Sequence, residues 1–133
     1  MSFKIKLDGA KVFVIDDEPE ITELIQSFLE EQGYRVLTVN DPHLAVEKAR
    51  NFKPDVILLD IIMPDVDGYE LCQKMKSDAE LGHVPVVFLT GRDRGEDMGR
   101  SFKSGGDMFI KKPFSCERLQ EIVNIVLMSS GQR

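Results

Sequence analysis

The sequence predicts an α/β fold, a single doubly wound sandwich in which five parallel strands are covered by helices on both faces. Three observations carry this expectation. The runs Val12-Phe13-Val14-Ile15, Val56-Ile57-Leu58-Leu59 and Val86-Val87-Phe88-Leu89 are unbroken, apolar and rich in β-branched residues, as strands buried on both faces require. Segments with helical periodicity lie between them. Strand and helix signals alternate five times along 133 residues, a length that suits one domain.

Each element has its own signal. After the first apolar run, Pro19 suits the opening turn of a helix, which tolerates a missing N–H. Ile21, Leu24, Ile25, Phe28 and Leu29 recur at i, i+3, i+4, i+7 and i+8, so one apolar stripe is expected to face the sheet. Gly33 fits the stop of that helix. Residues 34–39 and 108–110 are weaker strand signals, expected nearer the sheet edges. Pro42 marks the start of the second helix, and Asp67-Gly68-Tyr69-Glu70 can form a capping box for the third. Residues 93–104 read as a thin fourth helix, in which only Met98 and Phe102 are large and apolar and Gly95 and Gly99 weaken the turn. Ser115 can cap the last helix, whose stripe is Leu119, Ile122, Val123, Val126 and Leu127.

Composition narrows the function classes. With 42% hydrophobic and 30% charged residues the chain is globular rather than disordered. A net charge of −6 repels phosphate backbones, so direct binding to nucleic acid is not expected. No stretch approaches the roughly 20 apolar residues of a membrane span. Residues 1–8 alternate charged and apolar side chains and lack a signal-peptide core. Cys72 and Cys116 form no CxxC pair and read as reduced packing thiols, so a cytoplasmic location is expected. His43 and His83 are isolated beside proline or glycine and read as surface residues, with no metal cluster around them.

In open sheets of this kind the working crevice lies at the carboxyl ends of the strands. There the sequence places Asp16, Asp17 and Glu18 after the first strand, Asp60 after the third, Thr90 and Gly91 after the fourth, and Lys111, Lys112 and Pro113 after the fifth. Two carboxylates about 4 Å apart repel by roughly 4 kcal/mol at an effective dielectric near 20. Such a group takes up protons or binds a cation. Hard oxygen ligands favour Mg²⁺ or Ca²⁺, and Mg²⁺ keeps coordination positions for a phosphate oxygen. A lysine ammonium and the Thr90 hydroxyl suit the other oxygens, so the set is fitted to a phosphoryl group. A carboxylate can itself be the nucleophile, giving an aspartyl phosphate. Asp60 is the candidate because it stands alone at the centre of the sheet, whereas Asp16 and Asp17 are paired and better placed to hold metal.

These pieces together resemble the receiver domain of two-component response regulators. The matching residues are Asp16-Asp17, Asp60 within Leu58-Leu59-Asp60-Ile61-Ile62-Met63-Pro64-Asp65-Val66-Asp67-Gly68, Thr90-Gly91, and Lys112-Pro113-Phe114, in order and each at a strand end. The resemblance spans about residues 11–128, leaving 1–10 as a lead and 129–133 as a polar tail or linker stub. It implies a flavodoxin-like (βα)5 sandwich with strand order 2-1-3-4-5. It implies that Asp60 is the phosphoacceptor, that Asp17, Asp60 and the backbone carbonyl of Ile62 ligate Mg²⁺ directly, with Mn²⁺ also compatible, and that Asp16 acts through a metal-bound water. Thr90 and Lys112 would contact the phosphoryl oxygens, with a cis peptide before Pro113 and Lys111 left at the surface. Phosphorylation would switch Thr90 and Phe109 and move the fourth helix.

The implied partners are a sensor histidine kinase or phosphotransfer protein upstream and a partner or output domain downstream, with phosphorylation-dependent homodimerisation left open and no nucleic acid or membrane contact. The domain is expected to be no enzyme beyond taking and losing its own phosphoryl group. Phe109 lacks the hydroxyl of the tyrosine common there, Ile62 is apolar and Arg92 cationic, so a long-lived phosphorylated state is expected. Two other classes share part of this chemistry or topology. A phosphatase of the haloacid dehalogenase type needs an Asp-x-Asp motif and a cap domain, and a flavodoxin-type flavin module needs an uncharged phosphate loop; the run after the first strand fits neither. A phosphorylation-independent scaffold keeps the fold without the chemistry.

Overall fold

The computed structural model describes residues 9–91 and 105–129. Strand β1 (Lys11–Ile15) leads to helix α1 (Pro19–Glu31), β2 (Arg35–Val39), a 3-10 turn (Pro42–Leu44) that runs into α2 (Ala45–Phe52), and β3 (Val56–Asp60). Two short strands, β4 (Ile62–Met63) and β5 (Val66–Asp67), precede α3 (Gly68–Lys76), β6 (Val86–Thr90), β7 (Met108–Lys111) and α4 (Cys116–Ser129). The main sheet is parallel and ordered β2-β1-β3-β6-β7. With the β4–β5 ribbon set aside, that is the expected 2-1-3-4-5 order of the flavodoxin-like sandwich, and the two weaker strands lie at its edges.

The central strands are buried on both faces because their alternate side chains serve two different cores. Val12, Val14, Leu58, Val87 and Leu89 pack against Ile25 and Leu29 of α1 and Leu119, Ile122 and Val123 of α4. Phe13, Ile15, Ile57, Leu59 and Phe88 pack against Ala45 and Ala49 of α2 and Leu71, Cys72 and Met75 of α3. Each fully buried aliphatic or aromatic side chain contributes about 1.5–3 kcal/mol relative to exposure.

Helix ends follow their local signals. Pro19 opens α1, and Gly33 follows its end with φ +99°, a left-handed conformation open to glycine. The Asp67 carboxylate accepts from Tyr69 N–H at the start of α3, and Ser115 Oγ accepts from Arg118 N–H at the start of α4. The last helix reaches Ser129, one residue into the segment read from sequence as tail.

The α1 stripe differs from expectation. Leu24 is 53% exposed, and the polar Thr22 is buried instead. The inward direction of α1 is centred on Thr22, Ile25 and Leu29, which places Leu24 beyond the edge of the buried face. Thr22 is accommodated because its hydroxyl donates to Pro19 C=O and accepts from the Asn40 amide. The β4–β5 ribbon was not expected either. It pairs Ile62 with Asp67 and Met63 with Val66, and its turn holds Asp65 at φ +65°, a region that aspartate tolerates better than most residues. The candidate fourth helix (93–104) and Arg92 lie outside the described residues. Among the described residues, no helix is long and apolar enough to cross a membrane.

Candidate functional site

The parallel register brings the carboxyl ends of β1, β3, β6 and β7 to one edge. Asp16 follows β1 directly. Its N–H donates to Val39 C=O at 3.2 Å, extending the β1–β2 ladder by one residue. Its carbonyl accepts from the Asn40 amide at 2.8 Å, and its carboxylate accepts from Glu18 N–H at 3.0 Å. The Asp16 backbone is thus held on both sides, its carboxylate is held by Glu18 N–H, and the residue is fully buried.

Asp60 ends β3 and is also buried. Ile61 N–H donates to Leu89 C=O at 3.2 Å, and Gly68 N–H returns to Ile61 C=O at 3.1 Å, closing the loop after the aspartate. Gly68 is required for that closure. A Cβ there would stand 2.7 Å from Ile61 Cα and 2.8 Å from the Asp60 carbonyl oxygen.

One carboxylate oxygen each from Asp16, Asp17 and Asp60 lies within 4.8 Å of the others. Lys112 Nζ reaches into this cluster, 3.2 Å from Asp16 Oδ2 and 3.4 Å from Asp60 Oδ1. It arrives there from the position just after β7, where Lys112 N–H donates to Thr90 C=O at 2.6 Å and the Lys112–Pro113 peptide is cis. Lys111, one residue earlier, is exposed.

Burial pushes the Asp60 carboxyl up to about 6, and the Asp16 charge adds to that; Lys112 and the Ile62 N–H act in the opposite direction. For Lys112, burial disfavours the ammonium, but Asp16 and Asp60 outweigh it and the group is raised above its ordinary value. Among the described residues this is the one cluster of three carboxylates that offers ligand atoms at metal-binding separation. The donor set suits a hard divalent cation: three carboxylate oxygens, two of them from buried residues, one raised by burial and by its neighbour's charge.

Thr90 ends β6 and is fully buried. Register pairs it with Lys111 and pairs Phe88 with Phe109, so Thr90 and Phe109 lie on one face of the sheet. Phe109 is half-buried against the α2–α3 core. Ile62 is exposed beside the acceptor loop.

Two contacts escaped sequence reasoning. Asn40, the residue after β2, holds the Asp16 carbonyl; applying the strand-end rule to the second strand as well would have found it. Glu18 Oε1 lies 3.8 Å from Lys112 Nζ, a pairing between residues far apart in the chain that no local pattern signals.

Comparison with known proteins shows the family and the fold. The family model described as response regulator receiver domain matches residues 12–124. The response regulator Rre1 of Synechocystis sp. is 37% identical over 117 residues, covering 87% of this chain and 51% of that protein. Protein PilH of Pseudomonas aeruginosa is 32% identical over 118 residues, covering 89% of this chain and 98% of PilH. The chain therefore spans about half the length of some curated relatives and nearly all of another. The structure of the Vibrio cholerae chemotaxis protein CheY4 superposes with a TM-score of 0.85 at 29% identity, covering 89% of this chain and 98% of that one.

Proposed function

The chain belongs to the response regulator receiver domain family of two-component systems, and from that premise we propose that it accepts a phosphoryl group on Asp60 in a divalent-cation-dependent reaction. The observation that carries this is the meeting of Asp16, Asp17 and Asp60 oxygens within 4.8 Å, with Lys112 Nζ 3.4 Å from Asp60. In the proposed step an Asp60 carboxylate oxygen attacks phosphorus, the bond to the donor's nitrogen or oxygen breaks, and the leaving group departs with the electron pair. Asp60 must be ionised to attack, and with its carboxyl at about 6 it is mostly so at neutral pH.

Asp16, Asp17, Asp60 and the Ile62 carbonyl would hold Mg²⁺. The ion supplies positive charge that lets the carboxylates and the phosphoryl oxygens approach. Lys112 stabilises a phosphoryl oxygen by a charge-assisted hydrogen bond, and the Thr90 hydroxyl serves another. Asn40 and the Glu18 N–H keep Asp16 oriented throughout.

A histidine kinase or phosphotransfer protein is the proposed donor. The proposed output is a change in the packing of Phe109 beside Thr90, read by a partner or an output domain and open to homodimerisation. The only chemistry proposed for the domain is taking up and losing its own phosphoryl group, in the cytoplasm. The scaffold alternative predicts no labelling at all.

Incubation with acetyl phosphate, with and without Mg²⁺, followed by intact-mass spectrometry tests the proposal. One added phosphoryl group is expected with Mg²⁺ only. Asp60→Asn should abolish it and Asp17→Asn should slow it strongly. Equal labelling of Asp60→Asn and wild type would refute the assignment.

A further inference from the structure

Glu18 occupies the N-cap position of α1 with extended backbone angles, φ −97° and ψ 108°. At that position a side-chain oxygen ordinarily accepts a hydrogen bond from the first turn of the helix. Glu18 makes no such side-chain cap. Its backbone serves the helix instead, its carbonyl accepting from Ile21 and Thr22 N–H. The carboxylate is left for another use, and Oε1 lies 3.8 Å from Lys112 Nζ.

Among the described residues, Lys112 therefore has three carboxylate neighbours. Asp16 and Asp60 are buried, while the Glu18 side chain is 57% exposed. The Lys112 side chain itself is 21% exposed. Glu18 thus stands on the solvent side of the ammonium, at the mouth of the site. It lies outside the three-carboxylate cluster that could hold a metal ion.

A carboxylate in that place has two electrostatic consequences. It competes with an incoming phosphoryl oxygen for the Lys112 ammonium. It also adds one negative charge to the approach path of a donor that is itself anionic. We propose that Glu18 is a positioning and selectivity residue, which tethers the outer side of Lys112 and biases Asp60 against free, highly anionic phosphodonors. This rests on Asp60 being the acceptor. Because the Glu18 effect is Coulombic, it grows with the charge of the donor and shrinks with salt.

Two small donors of different charge separate this from a structural effect. Acetyl phosphate is a dianion near neutral pH and phosphoramidate a monoanion. Rates of Asp60 phosphorylation with Mg²⁺ are measured for wild type, Glu18→Gln and Glu18→Asp, at low and high salt. For a separation of about 7 Å in water at about 0.1 M salt, Glu18→Gln should react roughly threefold faster with acetyl phosphate and less than twofold faster with phosphoramidate. The preference should fall away at high salt, and Glu18→Asp, which keeps the charge, should retain the wild-type ratio between donors.

Unchanged rates for Glu18→Gln, or an equal acceleration with both donors that ignores salt, would overturn the role of Glu18 while leaving Asp60 as the acceptor. No labelling of the wild type by either donor would overturn the acceptor assignment, and the role of Glu18 with it.

Discussion

Replacing Asp60 with asparagine should stabilise the metal-free protein, and by an amount that depends on pH. The side chain is 6% exposed and adjoins Asp16, and its carboxyl is raised from 3.8 to about 6, first by burial and then by the Asp16 charge. A native state that keeps its proton to higher pH than the unfolded chain loses stability as pH rises between those two values. Each pH unit of that interval is worth about 1.4 kcal/mol, so ionised Asp60 costs the fold up to about 3 kcal/mol above pH 6. Asparagine keeps the shape and can still accept from Lys112 and the Ile62 N–H, but it has no charge to bury. Urea unfolding of both proteins in EDTA tests this. The advantage of Asp60→Asn should widen by roughly 2 kcal/mol between pH 4.5 and pH 8, about a 1 M gap in urea midpoint for a protein of this size. A difference that stays flat across that range, or a variant less stable than wild type at pH 8, would refute the account of Asp60 as a carboxylate held at an electrostatic cost.

Other perturbations follow from the same geometry. Gly68→Ala forces a methyl to 2.7 Å from Ile61 Cα, so it should lower stability by about 2 kcal/mol and slow labelling of Asp60, as unfolding and intact-mass kinetics would show. Gly106→Ala drives a Cβ to 2.2 Å from the Phe88 ring; it should cost about 1–3 kcal/mol, and a double-mutant cycle with Phe88→Leu should recover part of that. Lys112→Ala removes the cation that lowers the Asp60 carboxyl, so the acidic limb of the labelling profile should move to higher pH than in the wild type. The same variant should still take up a phosphoryl group yet lose the accompanying change in amide exchange at residues 105–111, measured by mass spectrometry.

The fold was legible because its signals are local. Four-residue apolar runs, prolines at helix starts, Gly33 at a helix end and Ser115 before α4 each act within a few residues, and the structure follows them. The fourth-helix expectation lies outside the described residues. The α1 stripe departs from expectation at Leu24 because periodicity identifies apolar positions but not the exact direction of burial; the buried Thr22 is satisfied by Asn40, which lies beyond the reach of any local pattern. The β4–β5 ribbon was missed because its strands have two residues each, too short for any period to register. Gly106 carried no message in the sequence, since the Phe88 ring that excludes a side chain there comes from another strand.

The sequence by itself determined which residues would stand at the working edge of the sheet. Alternating strands and helices allow few topologies, and every parallel strand points its carboxyl end the same way, so Asp16, Asp17, Asp60, Thr90 and Lys112 had to share one edge. Only the tertiary structure decided their distances and their ionisation. Lys112 meets Asp16 across 96 positions of chain, and whether the ammonium touches Asp16, Asp60, Glu18 or solvent depends on packing that no local pattern records. Charge interactions change steeply over a few ångströms and with burial, so the raised Asp60 carboxyl and the outward pairing of Glu18 exist only once the sheet has closed around them.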